Sequence, residues 1–383
     1  MQTKIPKLES RYIPVHSNSY VISSEIHWWK RTSPFIYPNV LINLLTSSKE
    51  QIEKLKQDSD EELFLLTDSG GFQVVSGTCN LDWEGSLLRQ IELGASKIFS
   101  FDKPTVKQKK NEGSLTNFIY MTDSEAEVTI RENFETALKQ SEYLKSKYPN
   151  EFKKLCYILQ GKSFEQIEFN MSLLKEKGIH PGNYSEYFPG GIVYGTKGGD
   201  NLYITIAARH AYETFIKRGI YVHFLGMGSF YRMIILIRNK ISTFDSSTIL
   251  QGTRVNEFIN PIDLNSSLQI PSADFIYTKQ FCTCPVCSNV NYNDHAKNNP
   301  SMIGRNFIGH NLWHMLKMNV FLDAIPLNRY TETVNKVYPL SDDLKRCLDF
   351  CDECDKNGFK ITYGKYKHYL EKKDVTKQKS LDI

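Results

Sequence analysis

Three carboxylates stand where apolar runs give way to turns: Asp68 after Leu63 to Leu66, Asp102 after Ile98 to Phe101, and Asp245 after Thr243-Phe244. Asp68 is followed by Ser69-Gly70-Gly71-Phe72-Gln73, whose glycines permit a tight turn and close approach of backbone to a planar ligand. Singly, each carboxylate reads as a helix cap, because Asp at a turn satisfies free backbone N–H groups. Together, at the ends of three strands, they suit glycosidic chemistry. One carboxylate can attack the anomeric carbon of an oxocarbenium-like transition state while another shuttles a proton to or from the leaving group.

A second constellation is metal-like. Cys282-Thr283-Cys284-Pro285-Val286-Cys287 sets three thiols within six residues, a density that tetrahedral zinc explains and core packing does not. The fourth ligand must come from further along, where His295, His310 and His314 compete. Four protein ligands would leave no position open for water, which makes a Zn2+ site here structural. Cys347, Cys351 and Cys354 form C-x-x-x-C-x-x-C, a spacing that can ligate an iron–sulfur cluster. However, 342–355 reads as a helix with Leu344, Cys347, Leu348 and Cys351 on one apolar face, which favours buried free thiols.

The elements that must position these groups are short apolar runs ending in polar or glycine-rich turns. Besides those at Asp68, Asp102 and Asp245, Leu155 to Leu159 ends at Gln160-Gly161. Ile192 to Tyr194 lies between Gly190-Gly191 and Gly195, and Tyr221 to Leu225 ends at Gly226-Met227-Gly228. Segments of helical character, such as Glu125 to Tyr148 and Leu202 to Arg218, separate most of them. This alternation predicts an α/β chain with a parallel sheet, and a (β/α)8 barrel is favoured over a doubly wound sheet. In a barrel every strand opens its C-terminal end on one face, so Asp68, Asp102, Gln160, Gly191 and Asp245 would converge. From Pro261 the pattern changes to a Cys-rich turn, an Asn-rich stretch and further helices. The expected division is a barrel body over 1–260, a metal-binding subdomain over 261–320 and a helical segment with a basic tail over 321–383.

Composition bounds the rest. A chain of 383 residues with 40% hydrophobic and 12% aromatic content buries a large core, and is neither a disordered tail nor a disulfide miniprotein. Lys plus Arg is 47 against 43 for Asp plus Glu, a net charge of +4, so nucleic acid is permitted as a partner but not demanded. No run approaches the roughly 18 to 20 apolar residues of a membrane span, and no apolar run follows the basic start. The expectation is a cytoplasmic protein with no membrane partner, in a reducing compartment where clustered cysteines suggest metal.

The ordered set Asp68-Ser69-Gly70-Gly71-Phe72-Gln73, Phe101-Asp102, Leu159-Gln160-Gly161, Gly190 to Gly195, Leu225 to Gly228 and Phe244-Asp245 resembles the tRNA-guanine transglycosylase superfamily over roughly residues 60 to 315. The resemblance implies a (β/α)8 TIM barrel with a C-terminal zinc-binding subdomain, exchanging guanine in a nucleic acid for a 7-deazaguanine base. It implies that Asp245 is the nucleophile forming a covalent glycosyl-enzyme intermediate and Asp68 the proton shuttle. Ser69 belongs to the binding motif, Asp102 and Gln160 would hold the base edge, and the backbone of Gly191 and Ile192 would complete the pocket. Phe72 and Leu225 would cover the two base faces, as a flipped purine requires. Cys282, Cys284, Cys287 and His310 would hold the zinc.

Departures from the tRNA enzymes point to the polymer. Thr196 stands where bacterial members place a Glu facing an aminomethyl group, which favours an uncharged base of the cyano-deazaguanine (preQ0) type. The arginine elements that follow the nucleophile are missing, with only Gly252-Thr253-Arg254 later in the chain. These features resemble the DNA-modifying, DpdA-type branch, so DNA is favoured over tRNA. Lys107, Lys109 and Lys110, and Lys365, Lys367, Lys372 and Lys373 interleaved with Tyr363, Tyr366 and Tyr369, could contact either polymer or be solvated surface. A homodimer, required partner proteins, or a role as a non-catalytic nucleic-acid-binding subunit all remain compatible with the sequence.

Overall fold

The computed structural model describes residues 3–367 apart from 17–27, 30–32, 58, 60–61, 109–117, 196–199, 248, 250–256, 260–266, 270–281, 289–302 and 339. Eight parallel strands follow one another around a nearly closed barrel: β1 (Arg11–His16), β2 (Asn39–Ile42), β3 (Phe64–Thr67), β4 (Ile98–Phe99), β5 (Leu155–Gln160), β6 (Gly191–Gly195), β7 (Val222–Phe224) and β8 (Thr243–Ser246). A doubly wound sheet reverses its strand order at a switch point. Here chain order and spatial order agree throughout, and β8 pairs in parallel with β1, Asp245 opposite Ile13. The seam between β3 and β4 is bridged where Ser96 N–H donates to Leu65 O at 2.8 Å and Leu65 N–H donates to Ser96 Oγ at 3.0 Å.

Strands covered on both faces need apolar residues in succession, and β5 (LCYILQ) and β6 (GIVYG) are buried along their whole length. Alternation then sorts the side chains. Ile13, Leu41, Leu66, Phe99, Cys156, Ile158 and Val193 form the barrel's inner core, while their strand neighbours join the larger core beneath the helices. Helices α1 (Lys49–Gln57), α2 (Gly71–Val75), α3 (Trp83–Glu92), α4 (Asp123–Lys147), α5 (Phe164–Glu176), α6 (Asn201–Thr214) and α7 (Phe230–Arg238) fill the connections. Local chemistry starts several of them: Thr122 and Glu125 form a capping box on α4, and Ser163 caps α5.

After β8 the chain reaches α8 (Ile303–Asp323), α9 (Tyr330–Val337) and α10 (Asp342–Asn357). Helix α8 docks directly on β1, with Tyr12 N–H donating to Asn319 Oδ1 at 2.9 Å and the Asn319 amide donating to Ser10 O at 2.9 Å. The boundary expected at residue 320 therefore falls inside a helix that packs on the barrel. Helix α10 is tied to α6 and α7 through buried arginines, Arg209 reaching Asp355 at 2.6 Å and Arg238 reaching Asp352 at 2.7 Å. Cys347, Cys351 and Cys354 are buried free thiols on this helix. Among the described residues, no helix is long and apolar enough to cross a membrane.

Candidate active site and metal centre

The C-terminal ends of β3, β4, β5 and β8 carry Asp68, Asp102, Gln160 and Asp245. Gln160 donates through Nε2 to Asp102 Oδ2, and Ser69 Oγ donates to Asp102 Oδ1 at 2.5 Å, so one buried carboxylate ties three strand ends together. The close approach depends on Gly71, because a Cβ there would lie 1.5 Å from the Asp102 carbonyl oxygen. Ser69 is itself fixed from behind by Ser86, whose hydroxyl donates to Ser69 O at 2.6 Å.

Asp68 accepts from Leu44 N–H at 2.8 Å, Asn43 Nδ2 at 3.0 Å and Gln73 Nε2 at 3.0 Å. Burial raises its pKa from 3.8 to about 6. The hydrogen bonds from Leu44 and Gln73 oppose the rise, and the charges of Asp245 and Asp102 add to it. Asp68 is therefore a carboxyl that can hold and release a proton near neutrality, within the field of two others.

Asp245 is buried, and its Oδ1 accepts from Gly226 N–H at 2.9 Å and lies 3.1 Å from His223 Nε2. His223 is fully buried on β7, opposite Thr243 in the sheet register. The sequence reading missed it. Its signal was the inward alternation of Tyr221, His223 and Leu225 beside Thr243 and Asp245 on the next strand. Asn43 was missed too, although it follows the apolar run Val40 to Ile42 as Asp68 follows its own.

Phe72 lies on α2, 36% exposed, and Leu225 is half-buried at the end of β7 against the inner core. Gly191 and Ile192 are not brought to this group. Gly191 pairs with Cys156 at the start of the strands, and the Ile192 side chain faces the helices. The residue of β6 beside Gln160 is Gly195, where a Cβ would sit 2.5 Å from Gln160 Nε2. The displacement is one of register: four residues of β6 separate Gly191 from the strand end that the pocket needs. Thr196, like Arg254, lies outside the described residues.

A second cluster stands where the turn at 282–288 meets α8. One ligand atom each from Cys282, Cys284, Cys287 and His310 lie within 4.8 Å of one another, so the four can hold a metal ion. His314, one turn beyond His310, brings Nε2 within 3.2 Å of Cys282 Sγ, while His310 Nδ1 lies 3.3 Å from Cys287 Sγ. His295 lies outside the described residues.

The basic stretches give little support to a stacking surface. Lys107 pairs with Glu125 at 2.8 Å, Lys365 with Glu353 at 3.4 Å and Lys367 with Glu165 at 3.9 Å. Tyr363 packs on Phe164 with ring centroids 4.5 Å apart, and the Tyr366 hydroxyl donates to Glu353 at 3.3 Å. Lys109, Lys110, Tyr369, Lys372 and Lys373 lie outside the described residues. No family model matches the chain, and no curated protein matches it.

Proposed function

We propose that this chain is a TIM-barrel transglycosylase that replaces guanine in DNA with a 7-deazaguanine base through a covalent aspartyl-glycosyl intermediate. The observation that carries the reading is the gathering of a proton-holding carboxyl, Asp68, and a buried, hydrogen-bonded carboxylate, Asp245, with a polar Asp102–Gln160 pair at one end of the barrel. An Asp245 oxygen attacks C1′ of the flipped nucleotide, and the C1′–N9 bond breaks with its electron pair leaving on guanine. Asp68 gives its proton to that base. In the second half the incoming deazaguanine loses its N9 proton to Asp68 and attacks C1′, and the C1′–O bond to Asp245 breaks. Asp102 and Gln160 present donor and acceptor groups to the base edge, and Phe72 and Leu225 supply apolar surface for its faces.

Three thiols and an imidazole on a turn and a helix suit tetrahedral Zn2+, which in a metal-binding subdomain would tie the turn at 282–288 to α8. DNA is favoured over tRNA by Thr196 and by the missing arginine elements after Asp245. The test is Asp245→Asn in a base-exchange assay on DNA and on tRNA, since an amide cannot serve as this nucleophile. Loss of exchange and of the covalent adduct with unchanged metal content is expected, and near-normal turnover by the variant would overturn the mechanism. Deazaguanine appearing in tRNA alone, read by nucleoside mass spectrometry of cells carrying the gene, would replace DNA with tRNA. Nucleic-acid binding without any exchange by the wild-type chain would leave a non-catalytic subunit.

A further inference from the structure

We infer that His223 is a positioning residue for Asp245, holding the carboxylate through an Nε2–H donor whose tautomer is set by a hydrogen-bond chain inside the barrel. The inference rests on the reading of Asp245 as the nucleophile. His223 is a residue that the nucleophile reading does not itself require.

The chain has four members on two neighbouring strands and their flanks. Tyr221 OH meets Thr243 Oγ1, Thr243 Oγ1 lies 2.8 Å from His223 Nδ1, and His223 Nε2 lies 3.1 Å from Asp245 Oδ1. Direction follows from the ends. An attacking carboxylate is ionised and only accepts, and Oδ1 already accepts from Gly226 N–H, so the Nε2 position of His223 must carry the hydrogen. In the Nε2–H tautomer Nδ1 is bare and accepts from the Thr243 hydroxyl, and Thr243 Oγ1 in turn accepts from Tyr221. Burial raises the Tyr221 pKa well above its ordinary value, so its hydroxyl keeps the proton it donates. Each donor polarises the next toward Asp245.

Packing fixes the ring as well as the hydrogen bonds. His223 is fully buried, and its ring lies 5.3 Å from that of Phe99, tilted by 35°. Two donors on Oδ1 pin one carboxylate oxygen and thereby fix the orientation of the whole carboxylate, Oδ2 included. The ring therefore orients the nucleophile without touching the base, and its loss should appear in turnover and not in binding.

The test compares His223→Leu, which removes the donor, with His223→Gln, whose amide can place a donor near the former Nε2. Steady-state exchange on DNA should show kcat falling on the order of 10- to 100-fold in His223→Leu, as when a group that orients a reacting side chain is removed, with KM within about threefold. His223→Gln should recover most of that loss. Nitrogen NMR of the histidine rings, assigned by the signal missing in His223→Gln, reads the tautomer without substrate. An Nε2–H form that changes in Asp245→Asn and loses its preference in Thr243→Val is expected. Wild-type kcat in a folded His223→Leu chain, or an Nδ1–H ring, overturns the inference. A wild-type chain that exchanges no base overturns the functional reading instead, and the ring spectrum then still decides whether His223 holds Asp245.

Discussion

Replacing Asp68 by Asn removes a carboxyl whose pKa burial, reinforced by the charges of Asp245 and Asp102, raises to about 6 from 3.8. The difference of about 2.2 corresponds to about 3 kcal/mol at 1.36 kcal/mol per pKa unit. Its sign follows from the raised value. Below pH 3.8 the group is protonated in the folded and unfolded chains alike; above that the unfolded chain ionises first, so stability is lost as pH rises through about 6. Asn cannot ionise, and its effect on the bonds from Leu44, Asn43 and Gln73 adds an offset that does not vary with pH. Urea unfolding of both proteins from pH 4 to 8 should therefore show wild-type stability falling relative to Asp68→Asn by about 2.4 kcal/mol, the rest of the total lying below pH 4 and nearly all of the change below pH 7. Parallel curves would refute the burial and crowding assigned to Asp68. The same value bears on catalysis: at pH 7 a pKa of about 6 leaves about one molecule in ten protonated, against about one in 1,600 at 3.8. Asp68→Asn should accordingly abolish proton transfer to the leaving base.

Gly195→Ala places a Cβ 2.5 Å from Gln160 Nε2 and should push Gln160 off Asp102, raising KM for the base about tenfold, equivalent to about 1.4 kcal/mol, in steady-state exchange. An unchanged KM would show that Gln160 does not hold the base. Cys284→Ser should lose the bound metal by elemental analysis and lower the thermal midpoint, because ligand binding energy is folding energy at such a centre; retained metal would sink the four-ligand assignment. Tyr363→Ala strips a ring 4.5 Å from Phe164 and should cost about 2 to 3 kcal/mol in urea unfolding while leaving the salt dependence of DNA binding unchanged. Weaker DNA binding at unchanged stability would restore a stacking role for that tyrosine.

His310 was singled out from His295 and His314 by the resemblance alone, but the sequence by itself determined the α/β class, the strand-end placement of Asp68, Asp102, Gln160 and Asp245, and the clustering of Cys282, Cys284 and Cys287. Each was legible because its signal is local. A strand buried on both faces must be a continuous apolar run, the polar residue that ends it marks one face of the sheet, and closely spaced thiols have few other uses. Even so, β1 and β2 went unread, since no carboxylate marks their ends, and Asn43 was lost with them. Register was decided only by the tertiary structure. A one-residue difference reverses a side chain, and four residues separate Gly191 at the start of β6 from Gly195 beside Gln160. The same holds for partners far apart in the chain. Gln160 meets Asp102 across 58 residues and His223 meets Asp245 across 22, contacts that exist because barrel closure stacks inward positions of neighbouring strands at one level. Local pattern fixes which way a residue faces along its own strand, but what it faces depends on pairing between strands, and that pairing is settled by packing the whole barrel at once.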